Sequence, residues 1–289
     1  MGLDHPKITA IEKTLMSKPI LSRRHFLRLS SLAAVGATVA VCAGTPALAE
    51  YDGTQMPPPV PKTPGGSAES SAPVSGRLTE TALPSPQEAL QRLMDGNQRF
   101  IANRLLEPNQ SPERRTAIAN SQQPFATIFG CVDSRVPPEL VFDRGLGDLF
   151  VIRTAGEVVD EAVLGSIEFG SLELKIPLIM VLGHERCGAI KASIEALESS
   201  GGESHGKSKH STEPGKIGYL VKSLKPAIEK AHALGMGDLA ENAMRANVSL
   251  TVQRLKKSPV LSAAVESGRL RIVGARYDLD SGAVEVLFS

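Results

Sequence analysis

Residues 125–136 read FATIFGCVDSRV, and the fold turns on how this stretch is read. An apolar run, partly aromatic and β-branched, is cut off at Gly130-Cys131 by the charges of Asp133 and Arg135. A run this short, without polar alternation, fits a strand buried on both faces of a parallel sheet. The burst of charge then marks a strand end where reactive groups gather. Three further runs share that character: DLFVIRTAG, IPLIMVLGH and RLRIVGARYDL, each bounded by Gly, Pro or charge. AVEVLF follows the turn DLDSG and alternates, so it reads as an antiparallel edge strand.

Helical segments are expected between these strands: about 138–142, 162–174, 187–197, and two more within 217–266. Before the first strand, SPQEALQRLMDGNQRFIANRL opens with an N-cap Ser85 and Pro86 at the first helical position. Leu90, Leu93, Phe100, Ile101 and Leu105 give this helix, 85 to about 104, an apolar face. That face has no obvious partner on a sheet already flanked by helices. Alternating strands and helices predict an α/β domain with a mostly parallel central sheet, an N-terminal helical arm and an antiparallel C-terminal edge strand. Ligands of such sheets bind beyond the carboxyl ends of the strands, where connections leave in opposite directions.

Composition bounds the function. With 42% apolar residues the chain can bury a sizeable core, and 32 basic against 31 acidic residues leave almost no net charge. Near-neutrality gives no support for nucleic-acid binding or a basic membrane face. Scarce aromatics weaken any reading based on sugar or base stacking.

The first fifty residues are separate from this domain. LSRRHFLRL precedes a moderately apolar run too short to span a membrane, and then Ala47-Leu48-Ala49. Basic segment, apolar segment and small-x-small site read as an export signal over 1–49, with an amphipathic anchor as the other reading. Arg23-Arg24, flanked by Ser22 and by Phe26-Leu27, resembles the twin-arginine class, which implies an exported, periplasmic-type location and no stable membrane span once the signal is removed. Cys42 falls within the signal. Residues 50–83 are rich in Pro, Gly and Ser and read as a linker, leaving 84–289 as one domain. Residues 199–215, SSGGESHGKSKHSTEPG, read as a flexible insertion; His205 and His210 there are candidate proton shuttles or simply solvated loop residues.

The chemistry lies at two strand ends. In LGHERCGAIKA, His184 and Cys187 are three apart at a helix start, a spacing that puts both side chains on one side. Without the signal, the cysteines that remain are Cys131 and Cys187, both at strand ends. Two thiolates and an imidazole form a known catalytic zinc set with a fourth position left for water. A disulfide is the rival reading, though it accounts for neither His184 nor the charged pair beside Cys131. Spacing alone leaves both open. Asp133 and Arg135 alternate with Cys131 along an extended segment, where the arginine can hold the carboxylate bidentately. A plain structural ion pair and an orienting dyad are equally compatible with that spacing.

CVDSRVPPE, followed by GDLFVIRTAG, GSIEFG and LGHERCGA, resembles the β-class carbonic anhydrases over roughly 87–287. The resemblance implies a zinc ion on Cys131, His184 and Cys187, with Asp133 and Arg135 as the dyad that orients the bound water. In some members that aspartate is instead the fourth ligand of an inactive state. It further implies bicarbonate binding by Gln122 (Gln123 is an adjacent rival), apolar walls for carbon dioxide at Val136 and Phe150, and a glycine at Gly188 where a side chain would crowd the pocket. The implied reaction is reversible hydration of carbon dioxide to bicarbonate, in a homodimer or a multiple of dimers. The same scaffold can instead hydrolyse carbonyl sulfide or carbon disulfide, or keep the metal without turnover. Glu157 departs from the family pattern, which reads Ala-Gly-Asn or Ala-Asn at this point.

Overall fold

The computed structural model describes residues 83–200 and 215–288, all within one compact unit, Ala72–Ser289. The expected signal, almost all of the expected linker, and the interior of the 199–215 insertion with His205 and His210 lie outside the described residues. Among the described residues, no helix is long and apolar enough to cross a membrane.

Five strands form one sheet: β1 (Ala126–Cys131), β2 (Leu149–Thr154), β3 (Leu178–His184), β4 (Arg271–Tyr277) and β5 (Val284–Phe288), in the order β2-β1-β3-β4-β5. β1 pairs in parallel with β2 and β3, and β3 with β4, while β5 runs antiparallel along β4. Every residue of β1 and β3 is buried, which is why their sequences show continuous apolar runs and not alternation. The chain leaves β1 for β2 on one side and returns to β3 on the other. The connections therefore diverge at the carboxyl ends of β1 and β3, and the crevice of the fold opens there.

Eight helices stand among the described residues: α1 (Pro86–Ile101), α2 (Pro112–Ala117), α3 (Pro138–Val141), α4 (Glu161–Leu172), α5 (Gly188–Ser200), α6 (Ile217–Leu234), α7 (Leu239–Lys256) and α8 (Pro259–Glu266). Two expectations need correcting. Three helices, not two, occupy 217–266, because Gly235 adopts a left-handed C-cap after α6 and Ser258-Pro259 caps and restarts the chain after α7. The short α2, capped by Ser111, was not expected at all.

The sheet has two covered faces. Phe129, Ile179, Val181 and Ile272 pack with residues of α4 to α8. Gly183 lets α7 come close to β3, since a Cβ there would stand 2.5 Å from Val248 Cγ2. On the other face, Ile128, Met180, Leu182 and Val273 pack against Ala89, Leu90 and Leu93 of α1. The expectation that α1 lacks a partner in its own chain is therefore wrong; the strands' second set of alternating side chains is what it covers.

A capping box starts α1: Glu88 N donates to Ser85 Oγ (3.2 Å) and Ser85 N to Glu88 Oε2 (2.7 Å). Asn97 then pins the helix down. Its side chain is fully buried; Nδ2 donates to Val141 O (3.1 Å) and Gly282 O (2.8 Å), and Oδ1 accepts from Val284 N (2.9 Å). Asn97→Ala should destabilise the domain by about 2–4 kcal/mol, because several backbone groups lose their partner in a dry site. Urea denaturation measures this, and a change below about 0.5 kcal/mol would rule out such a structural role.

Candidate metal centre

Parallel register does most of the assembly. Gly130 pairs with Leu182, so one further step brings Cys131 level with Gly183, beside the last β3 residue, His184. After β3, Glu185 and the left-handed Arg186 (φ 51°) turn the chain back, and Cys187 becomes the first carbonyl acceptor of α5, receiving Lys191 N at 3.0 Å. The expected helix start at 187 falls one residue later, at Gly188, and the helix runs on to Ser200. His184 thus belongs to a strand, and a tight turn, not a shared helical face, brings it to Cys187.

Sγ of Cys131, Sγ of Cys187 and a ring nitrogen of His184 lie within 4.8 Å of one another, all buried. The two sulfurs are 4.0 Å apart and both thiols are free, about twice the length of a disulfide bond. Sulfurs held tetrahedrally at about 2.3 Å from zinc stand about 3.8 Å apart. Nδ1 of His184 is 2.9 Å from Glu185 O, which assigns it the proton and leaves Nε2 as the bare lone pair. Nε2 is fully buried and has no hydrogen-bond partner. A buried orphan nitrogen aimed at two sulfurs is costly unless something fills the gap. This donor set fits a zinc ion.

Sharing of one proton between the two sulfurs lowers the Cys131 thiol, with the Gly156 N–H assisting, and pushes Cys187 up.

Beside the cluster, Arg135 grips Asp133: Nε to Oδ1 at 2.9 Å, Nη2 to Oδ2 at 2.7 Å, with Arg135 N to Oδ1 at 3.0 Å. These hydrogen bonds hold the carboxyl well below the usual carboxylate range. Asp133 Oδ2 lies 3.8 Å from His184 Nε2, yet Asp133 is not part of the ligand cluster. Both of its oxygens belong to Arg135.

Sequence reasoning missed what holds this segment in place. Arg153 of β2 donates from Nε to Cys131 O (2.7 Å) and from Nη2 to Asp133 O (2.6 Å). A single guanidinium thus clamps the backbone on both sides of Val132. The signal was an arginine inside the apolar run FVIRT. On the far side of the cluster, Gly156 N donates to Cys131 Sγ at 3.4 Å.

The remaining expected site residues are dispersed. Val136 is 3% exposed and sits in the α1-side core, its amide closing the turn on Asp133 O. Phe150 pairs with Thr127, four residues back along β2 from the partner of Cys131, and its ring lies against Gly170. Gln122 and Gln123 are exposed ahead of β1, at the end of the sheet away from Cys131. Gly188 is open: a Cβ there would meet no heavy atom within 4 Å, so this chain's own atoms do not create the crowding expected there.

A family model described as carbonic anhydrase matches residues 126–284, more than half of the 289-residue chain. The carbonic anhydrase of Mycolicibacterium smegmatis is 42% identical over 203 residues, spanning 70% of this chain and 93% of that protein. Carbonic anhydrase 2 of Mycobacterium tuberculosis is 40% identical over 201 residues, spanning 68% and 91%. The chain belongs to the β-carbonic anhydrase family of enzymes. Its fold is shared by the β-carbonic anhydrase CcaA, with a TM-score of 0.50 at 24% identity over 68% of this chain and 94% of that one. The β-carbonic anhydrase CafA of Aspergillus fumigatus gives 0.52 at 24% identity over 70% and 89%.

Within this β-carbonic anhydrase, the departure at Glu157 turns out to be internal. Glu157 is 1% exposed in the one-turn 3₁₀ segment Ala155–Glu157. Its Oε2 accepts from Asn247 Nδ2 at 3.3 Å, and its Oε1 has no partner. Burial, then the Cys131 charge, raises its pKa well above the ordinary carboxyl value against the Asn247 hydrogen bond. The unfolded chain therefore ionises this carboxyl at a pH where the folded one keeps its proton, and stability falls as pH rises above about 4.5. Glu157→Gln should escape that loss: as pH rises from 5, its stability in urea should gain on that of the native protein. Parallel stability curves for the two would show that Glu157 ionises in the fold.

Proposed function

We propose that this protein catalyses the reversible hydration of carbon dioxide to bicarbonate at a zinc ion held by Cys131, His184 and Cys187. One observation carries the reading: a buried Cys–His–Cys cluster with an orphan Nε2 stands directly beside a carboxylate locked by arginine. Zinc bound there supplies Lewis acidity, which lowers the pKa of water from about 15.7 towards 7.

The chain's own residues do the rest. Asp133 stays ionised, so it accepts a hydrogen bond from the attacking water and turns a lone pair towards the carbon of the substrate. Because its basicity is so low, it orients that hydrogen without removing it, and the released proton passes to solvent. Arg135 prevents the carboxylate from swinging into the ligand cluster, and its own half-exposed side chain marks where the site meets water. Cys131 and Cys187 bring negative charge to the cation, and Glu185 O holds the Nδ1 proton of His184, which leaves Nε2 as its ligand atom.

Gln122 and Phe150 stand away from the cluster in one chain. Their proposed parts in bicarbonate binding and in an apolar wall therefore require a second protomer, in keeping with a homodimer or a multiple of dimers. Light scattering tests this, and a fully active monomer overturns it.

Metal analysis combined with a stopped-flow carbon dioxide assay tests the function. Cys131→Ser and Cys187→Ser should each lose zinc and activity together. Asp133→Asn should retain zinc and lose about 100-fold or more in kcat, in the range that one preorganised hydrogen-bonding group contributes. Full zinc in both serine variants removes the ligand assignment, and near-native turnover by Asp133→Asn reduces the dyad to an ion pair.

The protein is further proposed to be exported by a twin-arginine route, on the strength of Arg23-Arg24 and the small-x-small site ending at Ala49. Replacing both arginines by lysine should leave uncleaved, active protein inside the inner membrane on fractionation. Efficient export of the double variant would point to a general secretory signal.

A further inference from the structure

The backbone around Gly156 is in an expensive conformation, and its effect falls on a metal ligand. Gly156 (φ 63°) and Glu157 (φ 48°) are consecutive left-handed residues. Glycine adopts that region freely, whereas for glutamate it is strained. No Cβ fits at Gly156 without pressing on Leu224 Cδ1 at 3.0 Å and Ala189 Cβ at 3.3 Å. This backbone aims the Gly156 N–H at Cys131 Sγ, 3.4 Å away. Strain kept at such a point calls for something that maintains it and for an effect that it produces.

Asn247, buried in the middle of α7, maintains it. Its Nδ2 donates to Gly156 O at 2.8 Å and to Glu157 Oε2 at 3.3 Å. The first bond fixes the peptide after Gly156 and the second fixes the side chain that follows it. Thr154 Oγ1 closes the segment by donating to Val158 O at 2.9 Å. Glu157 suits this place because its carboxyl is neutral: an oxygen accepts from Asn247, and no further negative charge is set beside two thiolates.

We propose that Asn247, with the Glu157 carboxyl as its second anchor, is a positioning residue that holds the Gly156 N–H on Cys131 Sγ and so limits how much charge that sulfur donates to the metal. An N–H pointed at a thiolate lowers the energy of the sulfur lone pairs, and a metal on a poorer donor is the stronger Lewis acid. The inference rests on the metal assignment above and not on the identity of the substrate.

The test is the full-length protein loaded with cobalt(II) in place of zinc, read by its sulfur-to-cobalt charge-transfer absorption. Asn247→Leu, with the same branching at Cγ but without a donor, should load cobalt fully and move that band to longer wavelength, as expected for a sulfur that has lost its hydrogen bond. Glu157→Gln should leave the band in place, since an amide oxygen also accepts; Glu157→Leu should move it in the same direction as Asn247→Leu. Should Asn247→Leu fail to fold, Asn247→Ser, too short to span the gap, carries the same expectation. A folded, fully loaded Asn247 variant with an unmoved band overturns the proposal and leaves Asn247 structural. Native protein that binds no cobalt overturns the metal assignment itself, and inactivity towards carbon dioxide affects neither reading.

Discussion

Parallel pairing of β1 with β3 is the constraint on which the site depends. Backbone hydrogen bonds between these two buried strands set the height of Cys131 against that of His184, with no side chain involved. A slip of β1 by one residue in that register would turn Cys131 to the other face of the sheet. The apolar residues on each face prevent the shift: Phe129 and Val181 belong to one core, Ile128 and Met180 to the other. Geometry at the cluster is thus inherited from ordinary core packing, and the polar residues only refine it.

Charge at the crevice is arranged in layers. Asp133 and Arg135 cancel each other at the solvent side. The sulfurs carry the negative charge that attracts a cation, and Glu157 behind them is kept neutral. Were Glu157 ionised, the region behind the sulfurs would gain a charge with no cation beside it, which the dry interior does not tolerate. Arg153 supplies a positive group on another side, but directs it at the carbonyls of Cys131 and Asp133, so it fixes position and leaves the sulfurs' charge in place.

Strands, sheet direction and the Cys–His–Cys cluster were legible because each is written locally: apolar runs closed by charge, and HxxC after one of them. The destination of α1's apolar face was not, since a helical stripe specifies that something covers a surface without saying which surface. The burial of Glu157 was not legible for a related reason. An acid in a loop sequence ordinarily faces water, and only the tertiary fold shows that Asn247, 90 residues away in sequence, brings it inside. Val136 and Phe150 follow the same rule: an apolar residue near a motif announces burial, but its direction is decided by the core that receives it.

Cys131 and Cys187 are separated by 56 positions, and this has a kinetic meaning. An unfolded chain offers a cation only the local pair His184 and Cys187; the third donor arrives after the loop between β1 and β3 has closed and their register has set. Capture of an ion at this cluster would therefore follow folding, unlike small zinc modules in which the metal organises the chain. An ion that prefers the finished site to the open chain adds stability that grows with the logarithm of its free concentration. The same polypeptide would then unfold at different temperatures in metal-rich and metal-poor surroundings, with every protein contact unchanged.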